Sequence, residues 1–462
     1  MPRLALALSA TLLGGNLALA QVNLHDFPSN GQLYPRGAGN FGTMPISGTV
    51  TEAGWDEVVV RMSSRSALIG ERVLLLHYAG TGTAHFSTSG QVKAGLRDYV
   101  VELLLRRPGE ERSIRTATSV VSGDVFLVAG QSNAVALDYW GEKLANQSQS
   151  WWLRSFGTQA WGATEVRNNK NWYLAEGETQ RTRGAVGSWA LELGARIINE
   201  VGVPVAIING AVGGTAIIAH LRNDAEPDDT TTIYGRMLFR AEASGLREHA
   251  RAIFWYQGES DGPNAIYYGR RFDALIDDWR EDYPSLEKVY LMQVRQGCGV
   301  GPDSLIFETQ RELPLRHPEV QLMSTSAQRA HDGCHYLYDG YLQLSEQLAR
   351  LVARDFYGRP FGPEIAPPNA IAAWRSNAVG DEVTIEFDAA AVGLDAQPGS
   401  EVGFRFEDGA QVLFISESGP KLILHLDRAT TSATLRYVGH VGNHGYVVNR
   451  LGIGALCFEL PL

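Results

Sequence analysis

The sequence predicts an α/β protein: a three-layer α/β/α domain around a five-stranded parallel sheet, with β-rich regions before and after it. Three observations carry this expectation. Between about residues 119 and 361, apolar runs alternate with stretches of helical period, the pattern of a parallel sheet covered on both faces. The runs themselves, at 125–129, 205–208, 252–256, 289–294 and 320–324, are continuously apolar, as strands buried on both faces require. Outside this stretch the alternation is missing, and Gly, Ser and Pro clusters separate short β-type runs.

Taken in order, residues 1–20 have the layout of an export signal. Arg3 supplies the positive end, residues 4–13 an apolar run, and Ala18-Leu19-Ala20 a small-residue cleavage site. Cleavage there leaves Gln21 first, and the protein is expected to be secreted or periplasmic. Residues 21–118 read as a β domain of sandwich or jelly-roll type, with strands near 57–62, 72–77 and 98–105. Residues 119–361 form the α/β domain. Its helices are expected at 189–201 and 265–279, with a further apolar stripe of Tyr341, Leu344, Leu348, Leu351 and Val352. Pro363, Pro367 and Pro368 mark a junction, and residues 362–462 return to β texture, with strands near 382–387, 421–426 and 434–438.

Composition narrows the function. The 462 residues are 44% hydrophobic and 20% charged, an ordinary globular balance. The net charge is -11, and -12 once Arg3 is removed with the signal. Nucleic acid and anionic membrane surfaces need a basic footprint, so neither is expected as the partner. No stretch after the signal is apolar enough to insert in a membrane. The three cysteines, Cys298, Cys334 and Cys457, include no C-x-x-C pair, so no metal site is expected. Cys298 follows the fourth strand and Cys334 the fifth. Neighbouring parallel strands would bring both to one sheet edge, where they form a disulfide or stand as two thiols.

Chemistry-bearing residues fall just after four of the five strands, where sites form in parallel sheets. The first strand is followed by Gly130-Gln131-Ser132-Asn133-Ala134. A serine at such a turn can present its hydroxyl beside a helix N-terminus, although serine also serves there as an N-cap. The second is followed by Gly210-Ala211-Val212-Gly213-Gly214-Thr215, where Gly213 offers a backbone N–H to an oxyanion or simply makes a turn. The third is followed by Gln257-Gly258-Glu259-Ser260-Asp261. The Gln257 amide is a neutral donor, and Glu259 either orients neighbours or solvates the loop. The fifth is followed by Asp332-Gly333-Cys334-His335, in which the carboxylate can orient the imidazole as a general base.

Each motif alone has a structural explanation; together they resemble the SGNH hydrolases, and within them the carbohydrate acetylesterases similar to sialate O-acetylesterase. The matching text is G-D-V-F-L-V-A-G-Q-S-N at 123–133, G-G-T-A-I at 213–217, W-Y-Q-G-E-S at 255–260 and D-G-C-H at 332–335. The segments beginning Gln32-Leu33-Tyr34-Pro35-Arg36 and Asn449-Arg450-Leu451 look like that group's flanking β portions. The resemblance implies a flavodoxin-like SGNH domain that needs no cofactor. It implies Ser132 as nucleophile with Asp332 and His335 as its partners, and an oxyanion hole of the Ser132 and Gly213 N–H groups with the Gln257 side chain. The implied substrate is an acetylated carbohydrate. Gln131, Asn133, Glu259 and His220 are candidates for the substrate pocket. Two positions depart from the pattern: Ala134 replaces the usual methionine, and His220 stands where tryptophan is common. Trp151, Trp152, Trp161 and Trp172 are available to stack on sugar rings. The alternatives are an inactive carbohydrate-binding protein, a peptidase, and an esterase or lipase of other acyl specificity.

Overall fold

The computed structural model describes residues 22–78, 80, 82–159, 162–177, 183–439 and 444–462. The signal layout, Gln21 and Trp161 lie outside the described residues. The chain forms two compact units. The first holds residues up to 28, 44–90 and 99–117, and the second holds 29–43, 91–98 and 118–462.

In the first unit, strand Glu57–Ser64 pairs antiparallel with both Ala67–Leu75 and Tyr99–Arg107. Tyr99, Val101, Leu103 and Leu105 are buried at alternate positions, the period of a strand with one covered face. Arg61 and Arg106 each pair with Glu71 and Glu111 across these strands.

The second unit is built on a central sheet. Its strands are β1 (Glu110–Gly130, which enters the unit at Thr118), β2 (Leu153–Phe156), β3 (Trp172–Leu174), β4 (Val205–Asn209), β5 (Ala250–Tyr256), β6 (Lys288–Gln293) and β7 (Val320–Ser324). The order across the sheet is β3-β2-β4-β1-β5-β6-β7. All neighbours are parallel except β3, which runs antiparallel to β2. The five apolar runs are β1, β4, β5, β6 and β7. The sheet is nevertheless wider than the expected five strands. The sequence hides β2 because Arg154 and Ser155 interrupt its apolar pattern, yet both are buried there. The Arg154 guanidinium donates to the Gly31 carbonyl at 3.0 Å.

Successive residues of one strand show that both sheet faces are covered, because neighbours point to opposite faces. Phe254 packs against Trp189 of helix α1 (Ser188–Val201) and against Phe126, which in turn meets Phe356 of helix α4 (Tyr338–Tyr357). The next residue, Trp255, packs against Trp279 of helix α2 (Tyr268–Asp282) and donates its indole N–H to the Tyr268 hydroxyl. Helix α3 (Ile306–Arg316) lies beside α2.

The units differ from the expected division. Segment 29–43 joins the second unit because strand Leu33–Pro35 pairs in parallel with Val121–Gly123, and Arg36 forms an ion pair with Asp124 at 2.7 Å. Residues 362–462 have an apolar core of their own, including Val383, Ile385, Leu422, Leu424 and Leu435. They still belong to the second unit. Gln293, at the end of β6, both donates to and accepts from the Cys457 backbone at 2.8 Å, and Ile453, Leu456 and Cys457 join the main core.

Candidate active site

The serine turn depends on a glycine. At the end of β1, Gly130 has φ +134°, and a Cβ there would sit 2.1 Å from the Tyr256 carbonyl oxygen. That close approach lets the Gln131 N–H donate to the same carbonyl at 2.9 Å. Ser132 then opens a single helical turn, Ser132–Val135. The Ser132 hydroxyl and N–H, and the Gly213 N–H, have no hydrogen-bond partner among the described residues. The Gly213 loop lies alongside, because the Val212 N–H donates to the Gly130 carbonyl at 2.9 Å. Two adjacent loops thus offer backbone donors with no acceptor of their own, as an oxyanion hole needs.

The loop after β7 brings Asp332 and His335 together. The Asp332 carboxylate accepts the Cys334 and His335 N–H groups at 2.6 and 2.5 Å, and the Asp332 N–H donates to the His335 carbonyl at 3.0 Å. His335 Nδ1 lies 3.7 Å from Asp332 Oδ2, within ion-pair range but longer than a hydrogen bond. Burial alone would raise the Asp332 pKa, but the two amides outweigh it and hold the carboxyl below its ordinary value. Burial lowers the His335 pKa and Asp332 only partly restores it.

Four contacts fix this loop. Cys298 and Cys334 form a disulfide. The buried Arg295 guanidinium donates to the Gly333 and Cys334 carbonyls at 3.3 and 3.0 Å and to the Tyr336 hydroxyl at 3.0 Å. Asn133, next to the serine, donates to the Cys334 carbonyl at 3.1 Å. The Tyr139 ring stacks on His335, with centroids 4.0 Å apart, while its hydroxyl donates to the Ser132 carbonyl at 2.9 Å. The last two contacts bind the serine turn to the histidine loop directly. Ser132 and His335 share no hydrogen bond here, and His335 Nε2 instead lies 3.6 Å from Cys334 Sγ. Cys298, Cys334 and His335 bring ligand-type atoms within 4.8 Å of one another. With both sulfurs in a disulfide there is no thiolate to bind a metal ion.

Residues 122–354, half of the chain, match the model of a family described as carbohydrate esterase, sialic acid-specific acetylesterase. The chain belongs to this carbohydrate esterase family. A probable carbohydrate esterase of Arabidopsis thaliana is 30% identical over 156 residues, covering 33% of this chain and 56% of that one. The chain therefore spans about half the length of that curated relative. A solved carbohydrate acetylesterase from Xanthomonas citri superposes with a TM-score of 0.63 at 19% identity, over 95% of this chain and 99% of that one. At that identity the likeness is one of fold.

Gln257 does not present a free donor here. It is fully buried, and its two amide N–H groups face Asp261 Oδ2 at 2.6 Å and the Thr215 carbonyl at 3.0 Å. Both are obligate acceptors, so neither proton is available to a substrate. The pocket candidates are corrected for a related reason: all four are buried within the framework. Gln131 Oε1 accepts the Ser260 N–H at 3.1 Å. Glu259 Oε1 accepts from Asn133 at 2.9 Å. His220 lies within hydrogen-bond distance of the Thr215 hydroxyl, at 2.8 Å, and meets Trp255 edge-on, and burial drives its pKa down to about 3. Trp172 packs on Phe156, whereas Trp151 is half exposed.

Sequence reasoning missed the residues that join the loops. Buried Asn209, the last residue of β4, donates to the Ala134 and Val186 carbonyls and accepts from the Ala211 N–H and Gln159. Asp261 accepts from both Gln257 and the Ile217 N–H. A polar residue ending an apolar strand was the available signal for Asn209.

Two expected results follow from these contacts. Gln257→Ala removes donors from a buried carboxylate and a carbonyl, so it should destabilise the fold by about 1–3 kcal/mol. Thermal unfolding measures this, and an unchanged midpoint with a collapsed turnover number would restore the direct oxyanion role. Asp332→Asn removes the charge that raises the His335 pKa. The base is active when neutral, so kcat/KM falls as pH drops through that pKa, which lies below the ordinary histidine value. In the variant this acid limb should move to lower pH. A limb that moves upward, or stays, would separate Asp332 from His335.

Proposed function

We propose that the chain is an exported serine esterase that removes O-acetyl groups from a carbohydrate through an acetyl-serine intermediate. One arrangement carries this reading: the Asp332–His335 turn tied by Asn133 and Tyr139 to Ser132, beside two backbone N–H groups without acceptors. The hydroxyl and the imidazole share no hydrogen bond here, and in this reading that bond forms as substrate binds, since such bonds tighten in the Michaelis complex.

In this mechanism His335 takes the Ser132 proton as the hydroxyl oxygen attacks the ester carbonyl. The tetrahedral oxyanion lies against the Ser132 and Gly213 N–H groups. Its collapse breaks the bond to the sugar oxygen, which leaves with the proton held by His335. Water then loses a proton to His335, attacks the acetyl-serine, and releases acetate and the free serine. Residues 119–361 carry the chemistry, and residues 21–118 and 362–462 flank it. Export rests on the layout of residues 1–20, and N-terminal sequencing of protein recovered outside the cytoplasm should begin at Gln21.

The test is acetate release from acetylated sialic acids, xylan and pectin. The account expects release from at least one, and faster hydrolysis of acetyl than butyryl esters of one leaving group, by about 1–3 kcal/mol per methylene. Preference for butyryl or longer esters would overturn the acetylesterase assignment and leave the serine mechanism standing.

A further inference from the structure

A cavity of about 570 Å³ opens against the loop that holds Asp332 and His335, and neither of them nor Ser132 lines it. One wall is Arg329, Ala330 and His331, the three residues immediately before Asp332. The other is Gln397, Pro398, His444, Gly445 and Tyr446, from the C-terminal β region.

That second wall is a fixed structure. The Gln397 N–H donates to the Tyr446 carbonyl at 3.0 Å, and the Tyr446 N–H donates to Gln397 Oε1 at 3.3 Å. A Cβ on Gly445 would lie 2.4 Å from the Pro398 carbonyl oxygen, so only glycine lets the two loops meet. Tyr446 packs with Ala327 and Val448. The first wall is equally constrained, because His331 Nδ1 accepts the Gly333 N–H at 3.0 Å. Burial, then the Arg295 charge, hold the His331 pKa down to about 4. The ring is therefore neutral at working pH, and Nε2 carries its proton.

The lining has the polar chemistry a sugar needs: a guanidinium, two imidazoles, an amide and a prolyl face, with only the edge of the buried Tyr446 ring. In a chain with 51 acidic residues, not one lining residue is acidic. Arg329 is exposed, and its guanidinium has no carboxylate partner among the described residues. Its five donors suit a pair of sugar hydroxyls or a sugar carboxylate.

We propose that this cavity is the subsite for the sugar next to the acetylated one, so that the C-terminal β region selects oligosaccharide over small esters. The proposal rests on the carbohydrate acetylesterase reading and adds where the rest of the glycan lies. It assigns Arg329 and His444 as specificity-determining residues. Both side chains are exposed, so their removal leaves the core intact.

The experiment compares kcat/KM on acetylated xylo-oligosaccharides, acetylated oligogalacturonides and 4-nitrophenyl acetate, in wild type, Arg329→Ala and His444→Ala. The expected result is that the ratio of oligosaccharide to 4-nitrophenyl acetate falls about tenfold or more in Arg329→Ala, as loss of a charge-assisted hydrogen bond would give. A larger fall on oligogalacturonides identifies a carboxylate as the group bound, and an equal fall identifies hydroxyls. Ratios unmoved in both variants would overturn the subsite and leave the acetylesterase reading intact. A wild type that cleaves 4-nitrophenyl acetate but neither oligosaccharide overturns the subsite, and the acetylesterase reading falls with it only if acetylated sialic acids release no acetate either.

Discussion

Ser132→Ala and His335→Ala are each expected to lower kcat by about 10⁴-fold or more, and the double variant to lose little beyond the worse single one. The reason is that they act as one unit. Without the hydroxyl there is no acetyl-serine, and without the imidazole nothing removes its proton. The residual rate would come from the Ser132 and Gly213 N–H groups, which neither change touches. Folding should survive Ser132→Ala, since the Ser132 hydroxyl has no partner to lose among the described residues, whereas His335→Ala also removes the ring stacked on Tyr139. Steady-state kinetics on one acetyl ester measures the effect. Losses that multiply in the double variant would show two independent contributions and count against a shared nucleophile–base step.

Asn133→Ala should produce the next largest effect, and on stability as well as rate. Asn133 Nδ2 donates to Glu259 and to the Cys334 carbonyl, and Oδ1 accepts from Tyr341 at 3.2 Å. The variant leaves the buried Glu259 carboxylate without its Asn133 donor, and its Oε2 already has no hydrogen-bond partner among the described residues. Leaving a buried charged acceptor without its donor costs about 3 kcal/mol. The pH dependence has a definite sign. Burial already raises the Glu259 pKa, with Asn133 opposing it. Without Asn133 it rises further, so the folded state is penalised above that pKa, where the group is charged. The penalty is relieved as pH falls and Glu259 takes up a proton. Thermal melts across pH should therefore show a defect that is largest near neutrality and shrinks in acid. A defect independent of pH would mean that lost packing, not a stranded carboxylate, is responsible. Turnover should fall too, because the serine turn loses its tie to the histidine loop, while KM changes less.

The parallel strands and the polar loops at their ends were legible because burial on both faces leaves a plain mark in sequence. The apolar runs that became β1, β4, β5, β6 and β7 are each continuous, and their ends carry the glycines and polar residues of the site. Strand β2 was not legible, since a buried arginine that donates to the Gly31 and Trp151 carbonyls reads as a loop residue until its partners are known. Gln257 was misread for the opposite reason. Its position at a strand end suggested a donor facing substrate, but Asp261, four residues later in the same motif, takes one of its protons. Hydrogen-bond allocation among neighbouring polar residues depends on distances that spacing does not encode. His220 was misjudged similarly: its place after the glycine loop suggested a pocket, whereas Trp255 and the Thr215 hydroxyl enclose it. The sequence left Cys298 and Cys334 open as a disulfide or two thiols; β6 and β7 are neighbours, and the two cysteines are bridged. The cavity beside His331 could not be foreseen, since its two walls are more than sixty residues apart in sequence.

The central claim is that Ser132 carries the acetyl group between sugar and water. Its most direct measurement is rapid acid quenching of the enzyme with an excess of acetyl ester, followed by peptide mass spectrometry. The account predicts one added acetyl group on the peptide containing Ser132, its disappearance as substrate is exhausted, and its absence in Ser132→Ala. An acetyl group on any other residue that forms and decays at the rate of turnover, with Ser132 unmodified, would contradict it.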